Sequence, residues 1–166
     1  MAFLYESPLL DLEVYRLITI LEASSTLAEF EGNYERDRNR ITFLRGWESP
    51  EISRIVVSMA AIIRSAVDAN TGAYSGYLEL ELELERPVGV LMPDDAQPHA
   101  WEALDFREAC NKILHADKVE LERMPNTKAL TGDLDLYGRH PGKKGKKWQA
   151  KLDLREYALA ALALTP

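Results

Sequence analysis

From Val119 to Leu154 apolar side chains return at every second position in three successive runs, and that period fixes half of the architecture. Val119 and Leu121 alternate with Glu120 and Glu122, and Leu134 and Leu136 alternate with Asp133 and Asp135. Trp148, Ala150, Leu152 and Leu154 alternate with Gln149, Lys151 and Asp153. Successive side chains of an extended chain point to opposite faces, so each run is a strand with one dry and one wet face. Gly138 to Gly145 turns the last two runs into a hairpin. The dry face of such a sheet needs a cover.

Segments of helical period supply that cover. Leu10, Val14, Leu17, Ile18 and Leu21 predict a first amphipathic helix from about Leu9 into the Ala23 to Phe30 region. Ser49-Pro50-Glu51 offers an N-cap, a first-turn proline and an acid for the positive end of the helix dipole. Ile52, Ile55, Val56, Met59, Ile62, Ile63 and Val67 continue as one stripe until Asn70-Thr71-Gly72 stops it. Asp153 and Glu156 form a capping box ahead of a C-terminal helix through Tyr157, Ala158, Ala161, Leu162 and Leu164. Its alanines allow close helix approach, within the fold or against a second copy, and a homodimer is the expected assembly.

Between these segments the pattern is less regular. Glu31 to Arg45 is polar and irregular at first, anchored by Ile41, Phe43 and Leu44. Tyr77 to Glu85 alternates Leu with Glu, which predicts a further half-buried strand, with an acidic helix as the competing reading because both residues favour helix. Arg86 to Ala100, punctuated by Pro87, Pro93 and Pro98, reads as a loop. The expectation is α+β: one domain over residues 1–166, a helical bundle packed on a small antiparallel β-sheet with a basic hairpin.

Composition excludes several classes. A single cysteine removes internal disulfides and two-site Cys–His zinc modules, and no run approaches the roughly 20 apolar residues that a bilayer requires. No secretory leader opens the chain, so a soluble cytoplasmic protein without membrane association is expected. Gly142-Lys143-Lys144-Gly145-Lys146-Lys147 lacks the spacing and hydroxyl of a phosphate-binding loop, and none of the serines sits in a Gly-x-Ser-x-Gly elbow. With only His99, His115 and His140, no multi-histidine metal centre is expected, and no cofactor. Asp133 and Asp135 read as the wet face of a strand.

A net charge of −7 opposes indiscriminate binding of polyanions, but the charge is uneven. Gly138 to Trp148 carries Arg139, Lys143, Lys144, Lys146 and Lys147 without an acid, leaving 15 basic against 27 acidic residues elsewhere. The segment is either a phosphate-binding finger for RNA or a solvated hairpin tip that blocks edge-to-edge pairing.

The segment from Asp105 to Ala116 combines a compact helix signal with polar chemistry. Phe106, Ala109, Cys110, Ile113 and Leu114 share one face, while Arg107, Asn111 and His115 recur at i, i+4 and i+8 along its edge. Asp105 and Glu108 read as a capping box, Cys110 as core filler, and Arg107 as a solvated or ion-paired side chain. Asn111 and His115 either bond a neighbouring backbone or face a groove.

The run Cys110-Asn111-Lys112-Ile113-Leu114-His115 resembles the signature of the HEPN superfamily, in which an Arg, often followed by Asn, precedes a His by a few residues on a late helix of a bundle. The resemblance covers about residues 105–116, and Cys110 stands where the family has Arg. It implies a helical fold and, where the motif is intact, metal-independent RNA cleavage by Arg and His paired across a dimer. Two readings follow. In one, the chain is a non-catalytic interaction protein, an accessory of a bacterial or phage defence system with a protein partner. In the other, it is an endoribonuclease of toxin or defence type with His115 as general acid or base, Asn111 orienting it, and Arg107 or a hairpin lysine clamping phosphate.

Overall fold

A computed structural model describes residues 8–70, 77–94, 100–140 and 146–164. Among these described residues, six α-helices and five strands follow in the order α1 (Pro8–Asn33), α2 (Arg38–Arg45), α3 (Glu48–Asn70), α4 (Tyr77–Leu84), β1 (Pro87–Met92), β2 (Glu102–Asp105), α5 (Phe106–Leu114), β3 (Lys118–Arg123), β4 (Leu130–Arg139), β5 (Lys147–Asp153) and α6 (Leu154–Ala163). A short 3-10 turn, Glu35–Asp37, leads into α2. The fold is α+β, with one antiparallel sheet of order β2-β1-β5-β4-β3.

The register aligns the apolar alternation across four strands. Gly89, Leu152, Leu134 and Leu121 form one row, and Leu91, Ala150, Leu136 and Val119 the next. Helices α5 and α6 lie against this face, and α3 packs across α1 and α5. Leu17, Ile55, Met59, Phe106, Leu134 and Tyr157 are fully buried members of one continuous core. The alanines of α6 face inward too: Ala158, Ala160 and Ala161 are completely buried within the chain, while Leu159 and Leu162 are exposed. Their close packing is therefore intramolecular.

Four expectations are corrected. Tyr77–Leu84 is a helix, not a strand. Alternation placed on a helical backbone scatters the leucines, so Leu82 is exposed and Leu84 buried, and the strong helix propensity of Leu and Glu prevails. The expected loop from Arg86 to Ala100 instead holds β1 from Pro87 to Met92. Pro87 stands at the first strand position, where a missing N–H is tolerated. Ser49 is not the N-cap of the third helix, which already begins at Glu48. Of the anchors assigned to the segment before it, Ile41 is buried, but Phe43 and Leu44 face solvent. His99, Lys143 and Lys144 lie outside the described residues.

The other face of the sheet is polar. Lys151 bridges Glu122 at 2.6 Å and Asp133 at 3.3 Å, and its ammonium is pushed up to about 12, first by the hydrogen bond to Glu122. Asp135, paired in register with Lys151, has its carboxyl raised above the usual range by burial. Lys151 offsets part of this, whereas the charges of Glu122 and Asp133 add to it. A carboxyl that binds its proton more tightly when folded loses stability as pH rises through the interval between its unfolded and folded values. Asp135→Asn is therefore expected to raise the melting temperature at pH 7, with the difference closing near pH 3, where Asp135 is protonated in both states. Melting curves at the two pH values check this, and a variant less stable at pH 7 counts against it.

Candidate functional site

Helix α5 begins as its sequence requires. The Asp105 carboxylate accepts from the Glu108 amide at 2.7 Å, capping one of the free N–H groups of the first turn. Glu108 does not complete the box. Its carboxylate turns along the helix to Asn111, which donates through Nδ2 at 3.0 Å, and to the Lys112 ammonium at 3.0 Å. Burial pushes the Glu108 carboxyl up, but Asn111, Lys112 and the charge of His140 outweigh it and hold it below the usual range. The Lys112 ammonium, largely withdrawn from solvent, also lies 4.6 Å from the centre of the Trp148 ring.

Asn111 is engaged on both sides. Its Oδ1 accepts from Nη1 of Arg64 on α3, and the same guanidinium contacts Asp68 through Nε at 3.2 Å. Arg64 follows half-buried Ile62 and the core residue Ile63 on α3, and that flanking position is the only sequence signal that brings it to this network.

The structure does not unite the three polar residues predicted to share a groove. Arg107 is exposed, and no hydrogen bond or ion pair among the described residues links it to Asn111 or His115. His115 lies beyond the end of α5 as its C-cap, where its backbone N–H donates to the Asn111 carbonyl at 3.1 Å and its side chain is exposed. Cys110 is core. It is 1% exposed, with Sγ 3.6 Å from the hydroxyl of fully buried Tyr157. Burial raises its thiol to about 12, so at neutral pH it is protonated and weakly nucleophilic.

The hairpin cations are distributed differently. Arg139 stands 3.6 Å from Asp117, and Lys146 pairs with Asp94 at 2.7 Å. A ring nitrogen of His140 is 2.6 Å from the Pro93 carbonyl, fastening the same base. Lys147 is exposed and, with Arg139, Tyr137 and Gln149, borders a cleft of about 230 Å³. Among the described cations, Arg139 and Lys146 are thus partly neutralised by local acids.

A second polar cluster, not foreseen from the sequence, lies at the other end of the molecule. Arg45, 8% exposed, donates to the Glu31 carboxylate and to the Lys128 carbonyl. Arg123 donates to the same carbonyl at 3.0 Å and to Glu48 at 2.7 Å. Thr42 also donates to Glu31, and this bond, opposed by burial and aided by Arg45, holds the carboxyl below its usual range. Lys128, at φ 61°, is the described non-glycine residue in the left-handed region, where a Cβ is unfavourable. Two guanidinium groups on its carbonyl keep it there. Among the described residues, no helix is long and apolar enough to cross a membrane. Compared with protein families, with curated proteins and with solved structures, the chain matches none.

Proposed function

We propose that this protein acts by binding, as a non-catalytic HEPN-like interaction protein of the kind that serves as an accessory in bacterial or phage defence. The observation that carries the reading is the commitment of Asn111: its amide accepts from Arg64 and donates to Glu108, so neither end is free to orient a histidine or a substrate. Cys110, at the signature's arginine position, is sealed in the core and supplies no cation. Arg107 and His115 have no contact that holds them as a pair.

One observation favours the endoribonuclease reading. Arg64 brings a guanidinium onto Asn111 from α3, and a phosphate entering there would meet a cation that the signature itself lacks. Incubation of RNA with the protein in EDTA separates the two readings. The expected result is no cleavage by wild type and no difference for His115→Ala. Cleavage that falls by about 10² to 10⁴ in His115→Ala, and falls also in Arg64→Ala, would overturn the binding reading.

A further inference from the structure

Helix α2 wears an apolar stripe on the wrong side. Arg40, Phe43, Leu44 and Trp47 follow the i, i+3, i+4, i+7 spacing that ordinarily marks a core-facing stripe, yet Phe43 is 66%, Leu44 53% and Trp47 61% exposed. The opposite side of the same turns, Ile41 and Arg45, is the buried one. Phe43 and Trp47 meet edge to face at 6.2 Å, and Tyr34, just before the helix, is also exposed. Such a group of large exposed rings marks a contact surface.

Its charge names the partner. Tyr34 to Trp47 contains four arginines and two acids, a net +2 in a chain of −7. Arg45 is used inside the molecule, but Arg36 and Arg40 are exposed, and no ion pair among the described residues neutralises either. Arg38 turns to the other side of the helix, that of Arg45, where it reaches the Glu31 carbonyl at 3.5 Å and lines a separate cleft of about 620 Å³ that also carries Lys128 and the carboxylates of Glu29 and Glu31. Cations spaced along exposed rings match a strand whose phosphates need counter-charge and whose unpaired bases need flat apolar surfaces.

We propose that the exposed face of α2, with Arg40 and Phe43, together with Arg36 before the helix and Trp47 after it, binds single-stranded nucleic acid. This rests on the binding reading given above and names the class of partner. Phe43 and Trp47 stack on bases, and Arg36 and Arg40 hold phosphates.

Fluorescence anisotropy with labelled 12-nucleotide oligo-U and oligo-dT at low salt tests the proposal, with the duplex form of a mixed sequence alongside. Single strands are expected to bind more tightly than duplex. Trp47→Ala and Phe43→Ala should each weaken binding about 5- to 100-fold. The double variant Arg36→Ala, Arg40→Ala should flatten the salt dependence by about 1.4 in log–log slope. Lys147→Ala should bind as wild type does. The altered side chains of α2 are exposed, and melting curves confirm that the variants fold. No detectable binding, or binding that persists in Trp47→Ala and disappears in Lys147→Ala, overturns the proposal. So does attachment to phosphatidylglycerol vesicles, or self-association lost in Trp47→Ala, when the oligonucleotides do not bind. Cleavage of the RNA oligonucleotide dependent on His115 would instead remove the non-catalytic reading and leave this surface standing.

Discussion

Gly89→Val is expected to destabilise the fold severely. Gly89 lies in β1 between β2 and β5, and a Cβ there would fall on the Lys151 carbonyl oxygen and within 3.0 Å of the Leu152 Cα. Both obstacles are backbone atoms of a strand paired on its two sides, so no side-chain rotation relieves them. The β1 and β5 strands would have to separate, taking Leu91 and Leu152 out of register with the core. The loss should exceed about 3 kcal/mol, near the upper end of overpacking effects and a large part of a typical domain's stability. Thermal unfolding followed by circular dichroism would show a drop on the order of 10 °C or more. A Gly89→Val variant melting within a few degrees of wild type would contradict the register.

Arg45→Leu should have the next largest effect. The replacement keeps much of the apolar stem but removes the guanidinium that joins Glu31 at the end of α1 to the Lys128 carbonyl in the turn between β3 and β4. Each acceptor retains another donor, Thr42 for Glu31 and Arg123 for Lys128. The cost is therefore set at about 3 kcal/mol, the lower end for breaking a buried ion pair. It is also tempered from the start, because Arg45 Nε and Glu48 Oε1 are buried without a partner among the described residues. Urea denaturation measures the difference, and a change below about 1 kcal/mol would mean that the network aligns these elements without stabilising them.

What the sequence disclosed follows from how much burial each segment carries. Helices α1, α3 and α6 and strands β3, β4 and β5 were legible because the buried apolar residues of each recur at the element's own period, although Leu12, Tyr15 and Ile18 of α1 and Leu159 and Leu162 of α6 face solvent. The caps at Asp105 and Asp153 were legible because short acids before helices have one physical use: Asp153 accepts from the Arg155 and Glu156 amides. Partners were harder to foresee. Glu108 and Glu156 fit the capping-box pattern, yet Glu108 turns to Lys112 one turn along its own helix, and Glu156 to Arg86, which only the tertiary fold brings into reach. The four residues of β2 are too few to show a period. In α2, Phe43 and Leu44 were misread as anchors beside Ile41, since apolar character alone does not say what a side chain faces. Around the HEPN-like run, Cys110 was correctly assigned to the core, while Arg64 arrives from 47 residues upstream with no local mark.

The sheet order also governs when this chain can fold during synthesis. β5 is last among the strands to leave the ribosome, yet it sits at the centre, between β1 and β4. Until it emerges, β1 with β2 and β3 with β4 are two separate ladders, each with an open edge that β5 will later fill. Nascent chains halted before Lys147 should thus expose two unpaired inner edges and much of the core, making them substrates for holding chaperones. The final insertion closes both edges in one step, so cooperativity arrives with the seven residues from Lys147 to Asp153.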